Sequence, residues 1–187
     1  MQQKILSNGL TCGQLQLSNT FRRLWMEHVL WTRFFIISTA FDLPDLQVVT
    51  ERLLQNPVDF ARVLKPFYGQ QASMKFERLL RNHLLIAANL VNAAKAGNTD
   101  ETDKQRKLWY ANAGEIAKFL SCINPCWSKT EWRNLLFDHL RMTENEAGFI
   151  LTGQYEKGIK EYDAVQAEAL KMADVMTSGI LKQFKIK

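Results

Sequence analysis

Apolar residues recur at three- and four-residue intervals through most of the chain, and no useful stretch alternates in the two-residue rhythm of a strand. Phe21, Leu24, His28, Trp31 and Phe35 trace one face of a helix expected from Asn19 to about Ala40. Asp42 and Pro44 read as a stop and a new start, giving a short helix through about Leu54. Asn56 before Pro57 has the form of a cap followed by a first helical proline, so a further short helix is expected to Leu64. Lys65-Pro66-Phe67-Tyr68-Gly69 then breaks it.

The next stripe is the cleanest: Phe76, Leu79, Leu80, His83, Ile86, Ala87, Leu90 and Ala94 share a face, and Gly97-Asn98 supplies a C-terminal signal. The short polar turn that follows makes the next helix, about Thr102 to Ser121, an antiparallel neighbour. Ser128-Lys129-Thr130-Glu131 has the form of a capping box and opens a helix presenting Trp132, Leu135, Leu136, His139, Met142 and Ile150. A last helix is expected over about Glu156 to Phe184. The fold class is therefore all-α: a bundle of five long and one or two short helices, ferritin-like in general shape. Residues 1–18 read as an irregular lead-in and 19–187 as a single domain.

Composition narrows the function classes. Hydrophobic residues make up 47% of 187, enough for a substantial core. The net charge of +5 comes from bases interleaved with acids, which argues for solvated helix faces over a nucleic-acid surface. The longest apolar runs, Phe34 to Ile37 and Leu84 to Ala88, are far too short for a bilayer span, and no signal segment opens the chain, so a cytoplasmic location is expected. Cys12, Cys122 and Cys126 are an odd set without zinc spacing and read as reduced thiols. No glycine-rich phosphate loop and no Gly-x-Ser-x-Gly occur, which leaves nucleotide cofactors and nucleophilic hydrolysis unsupported.

What remains is one local pattern met four times: Leu24-Trp25-Met26-Glu27-His28, Leu79-Leu80-Arg81-Asn82-His83, Leu108-Trp109-Tyr110-Ala111-Asn112 and Leu135-Leu136-Phe137-Asp138-His139. It suggests a repeat of helix pairs, and it places all three histidines of the protein in one slot of an apolar stripe. Polar groups converging from several helices are how bundles build metal and ligand sites. The candidate ligands are His28, His83 and His139 with a carboxylate from Glu146 or Asp163. Asn112, Thr32 and Thr143 are candidate outer-shell groups. His139, Thr143 and Glu146 share a helix face, and His28 with Thr32 repeats part of it. The Glu-x-x-His pairs of carboxylate-bridged di-iron proteins are missing, since Trp25, Leu80 and Leu136 hold those positions, and His-x-x-x-His is missing too. A mononuclear site for one divalent ion, Fe, Mn or Zn, is the metal chemistry left.

Leu24-Trp25-x-x-His28-Val29-x-Trp31-Thr32-Arg33, Arg52-Leu53-Leu54-x-Asn56, Lys65-Pro66-x-Tyr68-Gly69, Ala93-Ala94-Lys95-Ala96-Gly97, Trp109-x-x-Asn112-Ala113, His139-Leu140-x-x-Thr143-x-x-Glu146, Tyr162-Asp163, Met172-Ala173-Asp174 and Gly179-Ile180-x-x-Gln183-Phe184 together resemble an uncharacterised bacterial all-helical family. The resemblance covers nearly the whole chain from Leu24 and includes His28, His83, Asn112, His139, Glu146 and Asp163 among its pattern positions. Some relatives carry the name acetylglutamate kinase, an activity of an α/β fold with phosphate loops that this sequence does not offer. Two readings stand side by side: a metal site in the bundle core, and a structural or interaction module whose buried His/Asn network does no catalysis. An unidentified small-molecule partner and a homodimer are both left open by the sequence, and a basic nucleic-acid module ranks well below either reading.

Overall fold

The computed structural model describes residues 11–186 and consists there of five α-helices with no strand. They are α1 (Cys12–Ala40), α2 (Leu46–Lys95), α3 (Thr99–Ile123), α4 (Lys129–Leu151) and α5 (Tyr155–Gln183). The expected irregular lead-in is corrected over its last part, since α1 begins at Cys12 on a capping box: Thr11 Oγ1 accepts from Gln14 N–H, and Gln14 reaches back to Thr11 N–H. The first ten residues of that expected segment lie outside the described residues.

The two short helices expected before Lys65 are also corrected. Both belong to α2, which carries Pro57 and Pro66 inside it and is broken only at Gly69, where φ is 77° and ψ 175°. A proline within a helix loses one backbone bond, and burial of Leu53, Phe60 and Leu64 along the same stripe offsets that loss. Asn56 is therefore no cap; it lies inside the helix and is wholly buried.

The break at Gly69 turns five helices into three helical hairpins. The first pairs α1 with residues 46–68, the second pairs residues 70–95 with α3, and the third pairs α4 with α5. Each turns through the same device. Asp42, Gly97 and Gly153 adopt φ of 52°, 69° and 74°. The next residue's N–H then bonds back across the helix end: Leu43 to Ser38 O, Asn98 to Ala93 O, and Gln154 to Phe149 O. The three turns recur with a period of about 55 residues, the signature of an internal repeat.

Core positions keep the same register. Phe21, Phe76 and Trp132 stand two turns before the three histidines, and Ile36, Val91 and Ala147 two turns after, all buried. α3 packs on α2 and α4, and α5 on α4 and α1, so the hairpins close into a ring. The histidine-bearing segments of α1, α2 and α4 face one another inside it.

Candidate metal centre

The repeat explains why the histidines meet. His28, His83 and His139 occupy one register position in three hairpins arranged around a common centre, so their rings arrive at the same depth. Ring centroids are 6.2 Å apart for His28 and His83, 5.7 Å for His28 and His139, and 6.4 Å for His83 and His139, a near-equilateral triangle. Each histidine is 2% exposed, and one nitrogen from each lies within 4.8 Å of the other two.

Two of the rings are held by the same construction. Asn56 Nδ2 donates to Leu24 O, which leaves its Oδ1 to accept from His28 Nδ1–H at 3.1 Å. Asn112 Nδ2 donates to Leu79 O, and its Oδ1 accepts from His83 Nδ1–H at 3.0 Å. In both hairpins the asparagine bridges a histidine and the carbonyl one turn before it. This fixes the tautomer, placing the proton on Nδ1 and the lone pair on Nε2, as outer partners of metal-bound histidines do. For His83 that lone pair is engaged, because Trp109 Nε1–H donates to His83 Nε2 at 3.2 Å.

His139 differs. Its Nδ1 is buried without a hydrogen-bond partner, and so is the hydroxyl of Thr143 one turn on. Thr32, Ala87 and Thr143, each one turn beyond a histidine, line a small, mostly apolar cavity of about 20 Å³ together with Trp109, room for about one water.

Burial holds all three imidazoles neutral. It lowers His28 to about 4 and His83 to about 3, outweighing the asparagine hydrogen bonds that act in the opposite sense. His139 is lowered well below its ordinary value, by burial first and by the neighbouring rings second. Neutral imidazole is the form that ligates a metal, so no proton need be expelled.

The remaining expected residues lie differently. Glu146 is 1% exposed, but its carboxylate is taken by Arg33, whose Nη1 donates at 2.5 Å while the guanidinium stacks over the Tyr162 ring at 4.7 Å. Burial nonetheless raises Glu146 to about 7 against the effect of Arg33. Asp163 is exposed, and the group able to hold an ion comprises the three histidines without either carboxylate. Thr32 donates to the carbonyl of His28, a local backbone bond. Asn112 touches His83 directly, but it stands in the partner slot shared with Asn56 and not in the histidine slot where the four-segment overlay put it.

Asn56 is the site residue that sequence reasoning missed, because Asn-Pro has the form of a helix start. A signal was available: Asn56 follows His28 by 28 residues and Asn112 follows His83 by 29.

Among the described residues no helix is long and apolar enough to cross a membrane. No family model, curated protein or solved structure matches the chain.

Proposed function

We propose that the protein binds one divalent metal ion, Zn, Fe or Mn, through Nε2 of His28, His83 and His139. The observation that carries this reading is three neutral, buried imidazoles from three hairpins with ligand atoms within 4.8 Å of one another. Atoms at that separation lie at most about 2.8 Å from a common centre, so each ring need close by less than about 1 Å to reach a metal–nitrogen bond of about 2.0–2.1 Å. Three protein ligands leave at least one position open, as metal sites that do chemistry require.

The competing reading, a structural network without metal, has support in the two Asn–His pairs and the Trp109 bond. A network kept for structure alone is stable when every member is satisfied, and here His139 Nδ1 and Thr143 Oγ1 are not. An ion held by Nε2 leaves those two atoms as they are, so what favours the metal is the convergence of three neutral imidazoles.

The test is elemental analysis of tag-free protein beside a His83→Ala variant. The metal reading expects close to one equivalent in the wild type and its loss in the variant. Wild-type protein without metal after exposure to each candidate ion, with the variant merely less stable, supports the network instead.

A further inference from the structure

The third hairpin departs from the other two at a single informative position. Trp109, Ala113, Ile116 and Ala117 of α3 correspond in turn to Val165, Ala169, Met172 and Ala173 of α5, all buried. In that register the residue standing where Asn112 and Asn56 stand is Glu168. Its Oε1 is buried with no hydrogen-bond partner, and its other oxygen is 3.8 Å from Lys171 Nζ. On the facing helix α4, the one histidine whose Nδ1 has no partner is His139. An orphaned carboxylate oxygen and an orphaned ring nitrogen thus occupy the two slots that a hydrogen bond joins in each of the other hairpins.

We infer that Glu168 is the third outer partner of the metal centre: its carboxylate accepts the Nδ1–H of His139 when that ring turns its Nε2 to the ion. The inference rests on the metal reading above and adds to it a reason for the break in the repeat. A dication held by three neutral imidazoles leaves its full charge in an apolar interior, where uncompensated charge is costly. Two asparagines orient their histidines but bring no charge. A glutamate in the third slot orients the ring equally, raises its donor strength through a charge-assisted bond, and cancels part of the ion's charge. Glu168 is a positioning residue, acting on the metal through His139.

The experiment uses tag-free full-length protein, stripped of metal, with Zn²⁺ affinity measured by competition against a chromophoric chelator and Co²⁺ visible spectra recorded alongside. Glu168→Leu is expected to weaken Zn²⁺ binding by about 10- to 100-fold and to shift the Co²⁺ bands. Glu168→Gln and Glu168→Asn, which restore a neutral acceptor, should fall between Glu168→Leu and the wild type. If Glu168→Leu does not fold, Glu168→Gln decides alone, through a several-fold loss that disappears when His139 is already alanine. Wild-type affinity and an unchanged Co²⁺ spectrum in the substituted proteins overturn the Glu168 role while leaving the metal site standing. A wild type that binds no Zn²⁺ or Co²⁺ overturns both.

Discussion

Trp109 Nε1 lies 3.2 Å from His83 Nε2, so the His83 lone pair proposed for the ion is already engaged by an indole N–H. The contact stabilises the protein as it stands, and on the proposed metal reading it would compete with the ion for the same nitrogen. Removing the donor while keeping an aromatic ring should therefore move the two properties in opposite directions. Trp109→Phe is expected to lower the stability of the metal-free form by about 1 kcal/mol and to tighten metal binding by up to about tenfold. Chelator competition and denaturant unfolding of the same preparations check this. Parallel losses in both would mean that the indole supports the site and does not compete with it.

Asn56 and Asn112 make equivalent bonds in successive hairpins, so their truncations should behave alike. Each alanine substitution leaves a buried imidazole N–H without a partner and takes a second hydrogen bond from a helical carbonyl, Leu24 O or Leu79 O. The expected cost is about 1–3 kcal/mol of stability in either case, with metal affinity reduced by about 10- to 100-fold. Asn56→Asp and Asn112→Asp keep the acceptor oxygen and should retain more of the affinity. A large effect at Asn112 with none at Asn56 would show that the repeat does not extend to the energetics.

How much of this was readable beforehand turns on periodicity. The stripe from Phe21 to Phe35 and that from Phe76 to Ala94 define their helices, and three histidines in one slot of an apolar face point to a shared buried role, metal site or polar network alike. Their convergence depends on a repeat whose register is carried by the turns: Asp42 differs in type from Gly97 and Gly153 yet shares their backbone conformation. The prolines misled in the opposite direction. Pro57 and Pro66 mark helix boundaries in most chains, but here tertiary packing keeps α2 running to Gly69. Reading Asn56 as a cap removed it from consideration as a partner of His28. Arg33 was the other hidden element, since a lone arginine on a helix gives no hint that it will claim Glu146 from an apparent ligand set.

Acid should unfold the metal-free protein early. The folded state holds His28 at about 4, His83 at about 3 and His139 also well below the ordinary imidazole value of 6.5, so between pH 6.5 and about 4 the unfolded chain binds protons that the folded chain refuses. Stability contributed by these groups is present above 6.5 and is lost as pH falls through that window. Glu146, raised to about 7 from 4.5, works in the opposite sense over a similar range, as does Glu168, which burial also raises, and the three histidines outweigh them. The net expectation near pH 5 is a fall of about 3 kcal/mol per pH unit. Urea unfolding at half-unit steps from pH 7 to pH 4.5 measures it, and a flat profile would be incompatible with three buried neutral histidines.

Glu146 offers the sharpest separation between an ion-pair role and a ligand role. Its carboxylate is buried against Arg33, and Arg33 is itself only 18% exposed, so removing one partner strands the other in a poorly solvated site. Glu146→Ala is expected to cost about 3 kcal/mol or more, as breaking buried pairs does. Glu146→Gln keeps an acceptor for the guanidinium and, because burial already raises the carboxyl and so weakens its preference for the charged form, should cost much less. Neither substitution removes a member of the histidine group, so metal content should stay at the wild-type level in whichever variant folds. Loss of metal from a folded Glu146→Gln protein would instead make Glu146 a fourth ligand that leaves Arg33 when the ion enters. The Co²⁺ spectrum of the two proteins distinguishes these outcomes, since exchanging a carboxylate for solvent in the coordination sphere changes the band positions and altering a remote ion pair does not.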